Sequence, residues 1–172
     1  IAVDDYVYID FLSFVDIVDA VGGIELDISD EEAEGMKPPM AEQNKLLGNK
    51  KGTDYLDKGG KKLLVNGNQA LAYARLRYVG NADFQRTERQ RTVITKIIEK
   101  AKSSDPLTID KFAKASMSHL TTNMSQTQLF ALTYKAIFSM NYEIKSMRIP
   151  DDDSYSYGTS SDGQSILEVD FE

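Results

Sequence analysis

Cysteine is absent from these 172 residues, and His119 is the single histidine. Without cysteine there are no disulfides, no thiol nucleophile and no thiolate metal site, which fits a cytoplasmic protein or an exported bacterial one. His119 falls in an expected helix with no cysteine or histidine partner and reads as a structural or surface residue. No apolar run approaches the roughly 18 residues needed to span a bilayer, and no charged-then-apolar leader precedes the first structured stretch. Positive charge is also in deficit: the net charge is −7. That argues against a nonspecific nucleic-acid or anionic-membrane binder, which carries a broad basic field. No Ser/His/Asp triad, phosphate-cradling P-loop or dinucleotide fingerprint occurs.

What is present is an ordinary globular composition, 41% hydrophobic and 27% charged. The length suits one domain, which buries roughly 70% of its unfolded surface without covalent staples. Residues 6–11, YVYIDF, read as a short strand. Residues 11–21 read as a helix with Phe11, Phe14, Val15, Val18 and Val21 at helical spacing. Gly22 and Gly23 supply its C-cap. IELDI at 24–28 alternates as a half-buried strand does. A strand–helix–strand unit predicts a right-handed crossover onto a parallel neighbour, and so an α/β class. Residues 29–62 show no clear period, carry Pro38 and Pro39, and read as a long loop, either a lid or a solvated insertion.

Further along, 63–65 reads as a short strand and Asn66–Gly67 as the start of a helix with Ala70, Leu71 and Ala74 on one side and Arg75 at its end. Asp83 is placed as the N-cap of a helix over about 84–101. Thr108 is placed as the cap of a further helix. Ser125 and Gln128 form a capping box for another. Residues 142–149 read as a strand, 150–163 as a polar loop with Tyr155 and Tyr157 available to stack on sugar, and 165–171 as a final strand. The acidic run 151–153 reads as solvated rather than metal-binding.

One feature stands against the acidic background. The arginines are Arg75, Arg77, Arg86, Arg89, Arg91 and Arg148, and all but the last lie between 75 and 91. With Arg86 set at zero on a helical wheel, Gln90, Val93 and Ile97 fall within roughly 40° and Arg89 about 60° to the other side, while Arg91 lies about 140° away. If Arg75 and Arg77 occupy a strand, their i, i+2 spacing puts them on one side. Arginine forks match phosphate oxygens, and a helix N-terminus adds free N–H groups and positive potential. The constellation Arg75, Arg77, Arg86, Arg89 and Gln90 therefore reads as a phosphate or diphosphate site, with Arg91 dropped. The plainer alternative is a set of surface ion pairs with the abundant carboxylates, each contributing about 0–1 kcal/mol.

These residues carry a resemblance. ALAYARLRY at 70–78, followed by D-x-x-R-T-x-R-Q-R at 83–91, resembles the signature of the LytR–CpsA–Psr family of bacterial cell-wall enzymes. The similarity extends to DYVYIDFLSFVDIVDAVGGIELDI at 5–28, and more loosely to LTTNMS at 120–125 and SMRIP at 146–150. The resemblance implies an α/β fold, a three-layer α/β/α sandwich with a central mixed sheet flanked by helices. Residues 1–172 would form a single domain corresponding to the C-terminal portion of the family's full domain.

The implied activity is phosphotransfer, moving a glycopolymer such as teichoic acid or capsular polysaccharide from a polyprenyl-diphosphate carrier onto peptidoglycan. By position Arg75, Arg77, Arg86 and Asp83 would be catalytic, and Arg75, Arg77, Arg86, Arg89 and Gln90 would hold the diphosphate. The implied cofactor is Mg²⁺, whose ligands belong to a family segment preceding the DYV-like strand, so no residue here is assigned to it. The implied location is the extracytoplasmic envelope, with a membrane anchor outside this sequence. A rival expectation is a non-catalytic module binding polyprenyl phosphate or an acidic glycan. The carrier's tail would need an apolar tunnel, for which the helix at 11–21 is a candidate wall, although its apolar residues read equally well as core.

Overall fold

Helix α3, Gly67–Arg75, is the element on which the first part of the protein is assembled. The computed structural model describes residues 4–77, 79, 82–138, 150 and 154–170, with the side chains of 82–84, 115–120, 130, 133–134 and 136–138 left out of the description. The chain divides into two units, Ile1–Tyr142 and Glu143–Glu172.

The sequence of α3, GNQALAYAR, explains its position. Ala70, Ala72, Tyr73 and Ala74 are all buried, and three alanines let neighbouring elements approach closely from different sides. Its start is fixed by a reciprocal capping box: Asn66 Oδ1 accepts from the Gln69 N–H at 2.9 Å, and Gln69 Oε1 accepts from the Asn66 N–H at 3.0 Å. Asn66→Ala is expected to lower the unfolding free energy by about 1 kcal/mol, read from the urea midpoint at unchanged slope. At Gly67 a Cβ would come 2.2 Å from the Val15 carbonyl oxygen, so only glycine allows this contact. The Gly67 N–H also donates to Asp19 Oδ1 at 2.7 Å.

That contact joins α3 to helix α1, Phe11–Ala20, capped by Asp10, which accepts from the Ser13 N–H at 2.8 Å. Helix α1 is preceded by strand β1, Val7–Ile9. It splits by face: Val15, Ile17 and Val18 enter the core, while Phe11 is 50% exposed. After the turn at Gly22–Gly23, strand β2, Ile24–Ile28, buries Ile24, Leu26 and Ile28 and exposes Glu25 and Asp27. The expected alternation is therefore present.

Its expected partner is not. Strand β2 pairs antiparallel with β3, Gly60–Val65, in the register Ile24↔Val65 and Leu26↔Leu63. Strand β1 instead pairs antiparallel with β4, Leu120–Thr122. The parallel crossover is thus corrected: a helix between two strands permits a crossover but does not oblige the strands to be neighbours. The protein is mixed α/β, and its described strands form three antiparallel pairs.

The segment read as a loop holds the largest difference. Residues Asp30–Leu46 form helix α2, with Pro38 and Pro39 inside it. Ser29 and Glu32 make a full capping box, and three acidic residues in the first turn complement the helix dipole. Ala33, Met36, Met40, Gln43 and Asn44 form the buried stripe. Two of those five are amides, and the two prolines forfeit two helical N–H bonds. The apolar period is weakened by both. Helix α2 packs against α3, and together with β2, β3, α1 and helix α4, Ala82–Lys102, it encloses one core that includes Val18, Leu26, Met36, Val65, Val93 and Ile97.

Helix α5, Pro106–His119, is capped by Asp105 rather than Thr108: Asp105 Oδ1 accepts from the Leu107 and Thr108 N–H groups at 2.9 and 3.1 Å. Helix α6, Gln126–Phe138, opens on the expected Ser125/Gln128 box, with Gln128 Oε1 accepting from the Ser125 N–H at 2.8 Å. In the second unit, β5, Tyr155–Thr159, and β6, Ser165–Val169, form an antiparallel hairpin. Five residues of the expected polar loop, Tyr155–Thr159, are therefore strand. The expected strand at 142–149 and the acidic run 151–153 lie outside the described residues, as does the side chain of His119.

Candidate active site

Arg75 is the last residue of α3, as the helix reading expected, so the conditional i, i+2 strand pairing with Arg77 does not apply. Three contacts set its guanidinium. Nη2 donates to Glu42 Oε2 at 3.0 Å, Nη1 donates to Gln43 Oε1 at 3.3 Å, and the group lies 4.8 Å from the centre of the Phe11 ring. A cation over an aromatic face is held in plane as well as in place.

Two cavities meet at this residue. One, of about 240 Å³, is walled by Ile9, Phe11, Phe14, Leu71, Val93 and Ile94, with Asp10, Arg75 and Gln90 also among its lining groups. The other, of about 260 Å³, is lined by Arg75, Arg77 and Glu42 together with Pro38, Pro39, Leu76 and Val79. Arg75 thus borders two largely apolar spaces, of which the second also carries Arg77 and Glu42.

Gln90 is exposed, and its Nε2 reaches the Ala74 carbonyl at 3.5 Å. Its α4 neighbours Val93 and Ile97 are buried, as the helical wheel required. Arg86 is half-buried one turn before Gln90, and Arg77 is exposed just beyond α3. Helix α4 begins at Ala82, so Asp83 lies in its first turn rather than at the N-cap, and its side chain is outside the described residues. Arg91 pairs with Glu88 on the same helix.

Arg89 departs from its expected role. It is 5% exposed, and its Nε donates to Glu32 Oε1 at 2.9 Å. Its Nη1 and Nη2 donate to the carbonyls of Leu76 and Val79 at 3.4 and 3.0 Å. The group also lies 5.9 Å from the centre of the Tyr73 ring. Burial first, and the Glu32 carboxylate next, raise the Tyr73 pKa above its ordinary value, so that phenol is neutral at physiological pH. With its donors spent inward, Arg89 does not face the same space as Arg75 and Gln90. It holds the segment that carries Arg77. The wheel's 60° offset is enough to turn a side chain from a cavity into a core.

Sequence reading missed Glu42, Gln43 and Glu32, because all three lie on the helix read as a loop. The Ser29-x-x-Glu32 box was the available signal.

Among the described residues no group of three or more His, Asp or Glu side chains is placed to hold a metal ion. The carboxylate nearest Arg75, Glu42, is engaged with that guanidinium. These residues do not fit a Mg²⁺ site. Nor is any described helix long and apolar enough to cross a membrane.

The family model described as LytR_cpsA_psr matches residues 1–170. The chain belongs to the LytR_cpsA_psr family. A curated relative from Bacillus subtilis (strain 168), TagV, named a polyisoprenyl-teichoic acid–peptidoglycan teichoic acid transferase, is 33% identical over 134 residues, which cover 77% of this chain and 31% of the relative. TagU of Enterococcus faecalis, named for the same activity, is 29% identical over 99% of this chain and 48% of its own length. The match to this chain therefore spans 31% and 48% of these two relatives, less than half of either. The solved structure of B. subtilis TagV aligns with a TM-score of 0.65 at 27% identity, over 99% of this chain and 59% of that one. A structure of TagT bound to LI-WTA aligns with a TM-score of 0.57 at 29% identity, over 82% of this chain and 47% of that one. Both of these curated relatives, TagV and TagU, are named as teichoic acid transferases.

Proposed function

We propose that this chain supplies the carrier-gripping part of a phosphotransferase that moves a glycopolymer from a polyprenyl diphosphate onto peptidoglycan at the bacterial cell envelope. The observation that carries this reading is Arg75, standing between a cavity walled by aliphatic and aromatic side chains and one that Arg77 and Glu42 also line. A polyprenyl diphosphate has the same division: a hydrocarbon tail, then two phosphates, then sugar. The tail would lie against Ile9, Phe14, Leu71 and Ile94, and the phosphates against Arg75 with Gln90 beside them. Arg77 and Arg86 would complete the grip from the chain on either side.

In the transfer, an acceptor hydroxyl oxygen bonds to the phosphorus that bears the glycan, and the bond from that phosphorus to the bridging oxygen breaks. Polyprenyl phosphate leaves. Charge spreads over the phosphate oxygens as this happens, so guanidinium donors already aimed at them stabilise the transition state more than the ground state. Mg²⁺ and an anchoring segment are part of the same proposal, with ligands and anchor supplied by parts of the protein other than the described residues.

A second reading, a non-catalytic module for polyprenyl phosphate or an acidic glycan, is favoured by the absence of a carboxylate cluster among the described residues. One experiment addresses both. Farnesyl diphosphate at a hundredfold excess over its Kd is expected to stabilise the protein by about 2.7 kcal/mol. Arg86→Ala and Gln90→Ala are each expected to reduce the thermal shift strongly. An unchanged shift in both variants counts against the pocket. Mg²⁺-dependent release of phosphate from the same compound by this chain would rule out the non-catalytic module.

A further inference from the structure

The buried polar side chains of α2 and α3 form one connected chain that ends on Arg75. Gln43 is 2% exposed and Asn68 3% exposed, positions at which an amide is costly unless fully bonded. Gln43 Nε2 donates to Asn68 Oδ1 at 2.7 Å and to the Asn68 carbonyl at 2.8 Å. Asn68 Nδ2 donates to Asn44 Oδ1 and to Asp54 Oδ2, both at 2.9 Å. Asn44 Nδ2 in turn donates to the Thr53 carbonyl at 2.8 Å.

The direction of this chain is forced. An ionised carboxylate only accepts, so Asp54 compels Asn68 to turn its NH₂ outward to it. Asn68 must then present its oxygen to Gln43. With two acceptors facing its NH₂, Gln43 must present Oε1 to Arg75, where Nη1 lies at 3.3 Å. Flipping any one amide would set donor against donor or oxygen against oxygen.

We propose that Gln43 is a positioning residue for Arg75, holding the inner edge of its guanidinium through an amide chain anchored on Asp54. The chemistry favours an amide over a carboxylate at this place. A neutral oxygen fixes the fork without neutralising it, so the positive charge stays available to a diphosphate. The outer edge is different: it meets Glu42, whose side chain is 70% exposed and can be exchanged for a phosphate oxygen. Phe11 closes one face of the group. Arg75 is thereby locked on the side away from ligand and loosely held on the side toward it. The role in binding rests on the reading of Arg75 as a phosphate-gripping residue; the locking itself does not.

The test uses the whole chain labelled with ¹⁵N-arginine, where six arginines give a readable spectrum, and Arg75→Lys assigns the Arg75 signals. Asp54 has φ +63°, a conformation glycine adopts freely, so Asp54→Gly removes the anchor without straining the backbone. Gln43→Met removes the acceptor and keeps the volume. In the unaltered protein the Arg75 Nη signals are expected to be resolved by restricted rotation, and in both variants to collapse toward an average. Identical Arg75 signals in the unaltered protein and in Asp54→Gly overturn the proposal, and that variant decides the matter if Gln43→Met does not fold.

Titration with farnesyl diphosphate is the second arm. Each variant is expected to bind about five- to tenfold more weakly, and to cause no further loss in an Arg75→Ala background. Additive losses overturn the coupling. If the unaltered protein binds no diphosphate, the phosphate reading of the site falls, while the rotation of the guanidinium still decides whether Gln43 positions it.

Discussion

Arg89→Ala is expected to lower the unfolding free energy by about 3–5 kcal/mol, the effect of removing one member of a buried ion pair. The substitution leaves the half-buried Glu32 without its cation, and strips the carbonyls of Leu76 and Val79 of their donor. Three elements lose a common fastener: the start of α2, the segment after α3, and α4. Urea unfolding followed by circular dichroism reads the change, and a loss below about 1 kcal/mol would refute the structural role given to Arg89. Charge alone is not the point. Arg89→Met with Glu32→Gln removes both ions and is expected to recover part of the loss, because no uncompensated charge is then buried.

The second large effect is expected at Gly67. Gly67→Ala brings a methyl carbon to 2.2 Å from the Val15 carbonyl oxygen and 2.7 Å from the Val15 carbonyl carbon, backbone atoms that cannot rotate away. Helix α1 must shift from α3, at a cost near the upper end of the overpacking range, about 3 kcal/mol. The same shift moves Phe11 and Phe14 relative to Leu71 and Ala74, so farnesyl diphosphate should bind more weakly as well. Gly48→Ala is the matched control. Gly48 has φ +71° with nothing within 4 Å of a built Cβ, so its substitution carries only the left-handed backbone penalty of about 1–2 kcal/mol. Equal melting points for the two variants would refute the close packing of α1 on α3.

Those two residues also show what could be read in the sequence and what could not. The helix at 67–75 was legible because Asn66 and Gln69 cap it and its alanines repeat. Strand β2 was legible from strict alternation. Both are local signals. Which strand lies beside β2 is a non-local matter, and the strand–helix–strand pattern pointed to the wrong neighbour. Helix α2 was obscured by its own function: a run that must bury Gln43 and Asn44 loses hydrophobic contrast, and Pro38–Pro39 reads as a stop signal. Placement around the candidate site divided in the same way. The face of α4 that carries Gln90 was legible because Val93 and Ile97 continue it into the core. Arg89 was not, because composition cannot distinguish a guanidinium that meets a ligand from one that meets Glu32 and two carbonyls.

Strand β1 has a kinetic consequence. It pairs with β4, and Tyr6 N–H donates to Asn123 Oδ1, 117 positions further along the chain. The α1–β2–α2–β3–α3 contacts that build the core join residues much nearer to one another in sequence. Closing so long a loop is slow rather than weak, since each doubling of loop length costs only about 0.6 kcal/mol. The β1–β4 pair should therefore form late in folding. With three residues a side and β1 exposed along its length, it should also open first, its amides exchanging with deuterium ahead of those in β2. Ile9 belongs to that strand and walls the apolar cavity. A transient opening of one short strand pair would then widen that cavity while the core beneath stays folded.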